Sequence, residues 1–129
     1  MNKNRHRIHL FFTLLILLTA SQTYSQWQWT NPKPQGNDLW NVHFANTTTG
    51  WAVGGGGTIL KSTDAGATWS WQESYVNDFL RGVCAPTADQ AWVVGDNGLV
   101  FHTNDGGNSW QQQSIATTEG INDVHAVTT

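Results

Sequence analysis

Residues 39–69 have the sequence LWNVHFANTTTGWAVGGGGTILKSTDAGATW, and residues 80–110, 41 positions later, have the sequence LRGVCAPTADQAWVVGDNGLVFHTNDGGNSW. The two stretches align without a gap. Their shared positions are mostly apolar, glycine or aspartate: Leu39/Leu80, Val42/Val83, Trp51/Trp92, Val53/Val94, Gly54/Gly95, Gly57/Gly98, Asp64/Asp105, Gly66/Gly107 and Trp69/Trp110. A third copy opens at Ile121 and Val124. The chain is therefore built from an internal repeat with a period of 41 residues.

Each copy of the repeat predicts four short strands. Glycine-bearing turns separate the second strand from the third, and glycine tolerates the positive φ that such a reversal needs. The third strands are rich in residues that favour β structure. No stretch keeps a helical apolar period, because polar and glycine residues interrupt every run. In the first copy the expected strands are 39–44, 51–53, 58–61 and one beginning at Thr68; in the second they are 79–84, 91–94, 99–102 and one beginning at Ser109.

A four-stranded repeat of about 40 to 45 residues is typical of a β-propeller blade. We therefore expect an all-β fold made of four-stranded antiparallel sheets. The partial propeller would span 26–129, with a lead-in strand at 26–31, blades at 39–73 and 79–114, and the start of a next blade at 120–129. Closed propellers use about four to eight blades. The expectation is thus an incomplete propeller, as in an N-terminal fragment, whose lead-in resembles the ring-closing fourth strand of a further blade.

The turn before each fourth strand carries the most specific motif of the repeat. Its pattern is Ser/Thr-x-Asp-x-Gly-x-x-Trp, which resembles the Asp-box, or BNR repeat, of sialidase-type propellers. The aspartate can accept hydrogen bonds from backbone N–H groups of the turn, the glycine gives dihedral freedom, and the tryptophan offers a large apolar surface. We predict a structural and not a catalytic role for these residues: Ser62, Asp64, Gly66 and Trp69, with Thr103, Asp105, Gly107 and Trp110.

The whole repeat, L-x-x-V followed by a GWAVG-like strand, G-x-I/V and the Asp-box, resembles the propeller family of the photosystem II stability/assembly factors. The resemblance covers about residues 27–127, and the stretch 27–39 is similar to the lead-in of exported bacterial members. It implies the fold, and not the photosystem role. The mature region has only Lys33, Lys61 and Arg81 as fixed positive charges, so basic surface patches of photosynthetic members have no counterpart.

Residues 1–25 predict a signal peptide. Lys3, Arg5 and Arg7 form a positive N-terminal region, residues 10–18 are apolar, and a short polar run follows. The apolar part is shorter than the roughly 20 residues that a membrane span needs. We therefore expect export to the periplasm, the cell surface or the medium, cleavage near Ser25, and no membrane span in the mature chain.

Removal of residues 1–25 leaves three Lys or Arg against nine Asp or Glu, a net charge of −6. A surface of that sign does not bind nucleic acid phosphates, so we expect a protein or a carbohydrate as partner. One repeat position is occupied by His43, Cys84 and His125, and His and Cys are residue types that bind zinc or copper. Side chains at one position on successive blades diverge, so no metal site is predicted there. No cofactor and no catalytic residue is predicted either.

Trp71 is the favoured surface aromatic, since its counterpart is Gln112.

Two functions remain open from the sequence. The favoured one is an exported, non-catalytic binding or assembly scaffold, part of a larger surface or secreted protein. The alternative is a fragment of an Asp-box glycoside hydrolase of the sialidase or xyloglucanase kind. A sialidase needs an arginine cluster and a tyrosine nucleophile, whereas the mature region has one arginine, Arg81, and one tyrosine, Tyr75. The xyloglucanase version needs paired carboxylates, for which Asp38, Asp78 and Asp89 are the candidates.

Overall fold

The computed structural model describes residues 36–127 and shows two four-stranded antiparallel sheets in sequence. The first sheet contains β1 Leu39–Phe44, β2 Gly50–Gly54, β3 Ile59–Ser62 and β4 Ser70–Gln72. The second contains β5 Leu80–Cys84, β6 Ala91–Gly95, β7 Val100–Thr103 and β8 Gln111–Gln112. Strand order follows the chain in both sheets, so each repeat is one meander, as the periodicity predicts.

The two sheets have the same internal register. Val42 pairs with Ala52 in the first sheet, and Val83, 41 residues later, pairs with Val93 in the second. Both first strands also have an irregularity at the same place, between Leu39 and Asn41 and between Leu80 and Gly82. Equivalent sequence positions therefore have equivalent structural positions.

The turns between second and third strands depend on glycine at a fixed position. Single 3-10 turns, Gly55–Gly57 and Asp96–Gly98, make the reversal. Gly57 and Gly98 have φ of 69° and 66°, and a Cβ there would collide with the carbonyl oxygen of Val76 or Thr117 in the loop that follows the sheet. Their N–H groups bond the carbonyls of Asp78 and Glu119, 2.8 and 2.9 Å away. The turn thus holds the link to the next repeat.

The core lies between the two sheets. The first sheet contributes one face of β2 and β3 to this core. The second sheet contributes the face of β5, β6 and β7 that lies against the first sheet. The buried members are Trp51, Val53 and Ile59 from the first sheet and Leu80, Val83, Ala85, Ala91, Val93, Leu99 and Phe101 from the second repeat. The sheets pack side by side like neighbouring blades, and within residues 36–127 they do not close into a ring. The fold is an incomplete β-propeller.

The strand bounds differ slightly from the sequence expectation. The fourth strands begin at Ser70 and Gln111, later than expected at Thr68 and Ser109, because the Asp-box turns extend up to Trp69 and Trp110. Residues 120–127, predicted as the start of a next blade, have no regular secondary structure. The expected partner of that strand is the second strand of its own blade, which is not among residues 36–127. Its assignment stays a prediction.

The predicted signal peptide 1–25 and lead-in strand 26–31 lie outside the described residues. In the part of the chain that is described, no helix is long and apolar enough to span a bilayer.

Candidate functional site

The Asp-box turns are organised by hydrogen bonds that repeat atom for atom. Asp64 accepts from the Thr68 N–H at 2.8 Å and from its hydroxyl at 2.6 Å. Asp105 accepts from the Ser109 N–H at 3.0 Å and from its hydroxyl at 2.6 Å. These aspartates are exposed, and their side chains form hydrogen bonds with residues of their own turn, including its first residue. The geometry gives both carboxylates a local structural use.

The first residue of each turn lies deeper than the aspartate. The Thr103 hydroxyl donates to Asp105 at 2.8 Å and accepts from the buried Gly107 N–H at 2.9 Å. Ser62 does the same with Asp64 and Gly66, each at 2.8 Å. Both hydroxyl residues are almost fully buried. The Ser or Thr hydroxyl thus bonds the inner N–H groups, those of Gly66 and Gly107. The aspartates instead bond the N–H groups of Thr68 and Ser109, which are exposed.

These contacts also shift the acidity of the turn carboxylates. Hydrogen bonds from the side chain and backbone of Ser109, with a smaller one from Thr103, lower the pKa of Asp105 from 3.8 to about 2. The pKa of Asp64 is lowered too, chiefly by the Thr68 hydroxyl. Both groups are therefore anionic at neutral pH. A carboxyl tuned in this direction is a poor proton donor, which fits a structural role.

The second Asp-box turn joins the two sheets. Trp110 meets Trp51 of the first sheet edge to face, with ring centroids 5.6 Å apart. The Lys61 ammonium lies 4.7 Å from the Trp51 ring and donates to the Gly106 carbonyl at 2.7 Å. Trp69, the counterpart in the first turn, instead contacts Phe44 and donates its indole N–H to the Gly66 carbonyl.

The repeated position His43, Cys84 and His125 has a structural use in the inner strands. His43 Nδ1 accepts the backbone N–H of Ala85, the residue directly after β5, at 3.2 Å. Cys84 Sγ accepts the N–H of Ala126 at 3.3 Å, which is the same contact one repeat on. His43 and Cys84 thus each accept a backbone N–H from the repeat that follows their own. Among residues 36–127 no group of three or more His, Cys, Asp or Glu side chains is placed to hold a metal ion.

One side of the first sheet is apolar and exposed. We call it the open face, formed by Leu39, Val42, Phe44 and Trp71 beside a groove of about 580 Å³. The counterparts of the first three are Leu80, Val83 and Ala85, which are buried against the first sheet. Trp71 pairs with Leu60 and so points to the same side. The open face is therefore a blade-packing surface, and the exposure of Trp71, 43%, belongs to it.

A second apolar surface lies at the end of the sheets that carries the glycine turns. We call it the aromatic shelf, formed by Trp40, Phe79 and Arg81. Trp40 and Phe79 meet edge to face with centroids 6.3 Å apart, and the Arg81 guanidinium lies 5.8 Å from the Trp40 ring. Trp40 is 54% exposed and Phe79 is 49% exposed. Each ring thus keeps about half of its surface available to a partner.

The shelf is not required by the repeat. Trp40 corresponds to Arg81 and to Asn122, and Phe79 corresponds to Asp38 and to Gly120. The fold accepts polar or small residues at both positions, whereas positions that are buried in both repeats, such as Val53/Val94 and Leu60/Phe101, keep an apolar side chain. Aromatic residues placed where the fold does not need them are candidates for binding. This signal is present in the repeat alignment, where Trp40 and Phe79 differ from their counterparts just as Trp71 differs from Gln112.

Arg81 is held in place by an ion pair within the shelf. Its guanidinium donates to both carboxylate oxygens of Asp96, with the Nη2 to Oδ2 distance at 3.0 Å. The pair lowers the pKa of Asp96 and raises that of Arg81. Asp96 also donates its backbone N–H to the Phe79 carbonyl at 3.0 Å. The ion pair therefore helps to hold the Arg81 guanidinium beside the Trp40 ring.

The comparisons with known proteins agree with the fold described above. No family model matches the sequence, and no curated protein matches it. Among solved structures, the chain is similar to YCF48 bound to a D1 peptide, with a TM-score of 0.58 and 27% sequence identity over 64% of this chain. It is also similar to YCF48 from Cyanidioschyzon merolae, with a TM-score of 0.58 and 26% identity over 66% of this chain.

YCF48 is a photosystem II assembly factor with a β-propeller fold, so the predicted resemblance to that family is confirmed at the level of structure. The chain spans only 27% and 29% of the length of these two structures.

Proposed function

We propose that this chain is an exported, non-catalytic β-propeller that acts as a binding or assembly scaffold and binds a segment of a protein partner at the aromatic shelf. The observation that carries the proposal is the pair of half-exposed rings, Trp40 and Phe79, at positions where the other repeats have polar residues or glycine. Aromatic side chains contribute large contact area to protein interfaces at a small entropic cost. The scaffold is proposed to be part of a larger surface or secreted protein.

The structural neighbours support the class of partner. One of the two similar YCF48 structures is bound to a peptide, D1. This structure is a precedent for peptide binding by a similar propeller. Export is supported by the charged, apolar and polar runs of residues 1–25.

The hydrolase alternative has no specific support among the described residues. Asp38 and Asp78 lie at the end of the sheets with the glycine turns, where their carbonyls bond Gly55 and Gly57. Asp89 lies at the opposite end, where its carbonyl bonds Gly106 of the Asp-box turn. Arg81 is engaged by Asp96. The proposal of a non-catalytic role rests on this arrangement and on the neighbours.

The proposal is tested with the mature chain, residues 26–129, against a random peptide library displayed on phage. We expect recovered peptides to bind at the shelf, so the double variant W40A/F79A should lower their affinity by at least about tenfold. Trp71→Ala is the matched control, because it removes an exposed tryptophan from the open face and leaves the shelf intact. Circular dichroism checks that each variant keeps its β structure.

Failure to recover any peptide above background, or recovery that is equal on the parent and on W40A/F79A, would show that the shelf is not a protein-binding surface.

A further inference from the structure

We infer that the segment bound at the aromatic shelf is cationic, carrying Lys or Arg next to apolar side chains. The inference rests on the proposed function and adds the chemistry of the partner. It comes from the charged groups around the two rings.

Carboxylates border the shelf on the side of Phe79. Asp38 and Phe79 line the same cavity, of about 300 Å³, together with Gly36, Asn37 and the glycine turn of the first sheet. Asp78 directly precedes Phe79, and its Oδ1 accepts from the Asn97 amide at 2.7 Å. Asp38 and Asp78 therefore both border the shelf on its Phe79 side.

No Lys or Arg among residues 36–127 forms an ion pair with either of these two carboxylates. The described residues contain only two Lys or Arg, against nine Asp or Glu. Arg81 is paired with Asp96, and Lys61 is at the opposite end, bonded to the Gly106 carbonyl. Asp38 and Asp78 form no ion pair among residues 36–127. The charge available to a partner at the shelf is therefore negative.

Lysine and arginine side chains suit such a surface because both their apolar stem and their charged head find a favourable contact on it. Their methylene stems can lie on an aromatic ring while the charged head remains near carboxylates and water. Their cations are also attracted to the exposed face of a tryptophan or phenylalanine ring. An acidic segment would instead meet like charges, which opposes association.

The library selection described above also tests this inference, with the net charge of the shelf-dependent peptides as the readout. These are the peptides recovered by the parent and lost on W40A/F79A. We expect them to be enriched in Lys and Arg relative to the unselected library. Their affinity should fall as salt is added, since exposed charges are screened over about 10 Å at 0.1 M ionic strength.

Removing the two carboxylates tests whether they are the groups that attract the cationic peptides. The double variant D38N/D78N keeps the shape of both side chains and should weaken a recovered cationic peptide about fivefold, with loss of most of its salt dependence. Asp89→Asn is the matched control, because it removes one exposed carboxylate at the far end of the sheets and should leave affinity unchanged.

The outcomes separate this inference from the proposed function. Shelf-dependent peptides that are neutral or acidic, or that bind D38N/D78N as well as the parent, overturn the cationic partner and leave the shelf as a binding surface. Absence of shelf-dependent peptides overturns both.

Discussion

At the scale of single residues, the Asp-box turn shows which side chains accept the hydrogen bonds of its backbone N–H groups. The motif predicts the contacts of Asp64 and Asp105, because an acceptor at the head of a turn has few other uses. It does not predict that the buried N–H groups are bonded by Ser62 and Thr103. Burial is a property of the packed sheets and is not visible in an eight-residue pattern.

Thr103→Val should therefore destabilise the protein by about 1 to 3 kcal/mol, because it removes the acceptor of a buried N–H and keeps the side-chain volume. Asp105→Asn should have the smaller effect, since it retains an oxygen at the exposed Ser109 N–H. Urea unfolding of the parent and the two variants measures both free energies. Equal stability of Thr103→Val and the parent, or a larger loss in Asp105→Asn, would refute this division of roles.

At the scale of elements, strand positions were predictable to within one or two residues because turn chemistry and apolar alternation agree in both copies. The sequence did not predict how the sheets are joined. Lys61 donates across to Gly106, and Trp51 receives Trp110 from the next repeat. Such contacts depend on the angle between sheets, which the pattern of one repeat does not contain.

The tryptophans of the second strands test this junction as a matched pair. Trp51 is fully buried between the sheets, whereas its counterpart Trp92 is only partly buried and lies against His102 with centroids 4.2 Å apart. Trp51→Ala should cost about 3 to 5 kcal/mol, and Trp92→Ala less than about 2 kcal/mol. Denaturant unfolding compares them. Similar losses in the two variants would mean that the junction is not centred on Trp51.

At the scale of the whole molecule, the period of 41 residues was enough to predict an all-β propeller of four-stranded sheets. The open face could be predicted once the buried side of the second sheet is known, because the equivalent side of the first sheet carries matching apolar residues. The shelf could not be predicted as a unit. Trp40, Phe79 and Arg81 belong to two repeats, and only the packing of the sheets brings them together.

Because the two repeats are equivalent, the open face corresponds to the packed face of the second sheet, yet its side chains are exposed in the described part of the chain. Val42, 56% exposed there, corresponds to Val83, which is 3% exposed in the core. An apolar sheet face of this kind favours association. Val42→Lys should reduce that association and leave the melting temperature nearly unchanged. Val83→Lys, the same change at the buried counterpart, should unfold the protein.

Sedimentation velocity over a range of concentrations, on the parent 26–129 and on Val42→Lys, tests the equivalence of the two repeats most directly. The predicted result is concentration-dependent association of the parent that the lysine at position 42 abolishes. A monodisperse parent monomer with a sharp cooperative unfolding transition would contradict it.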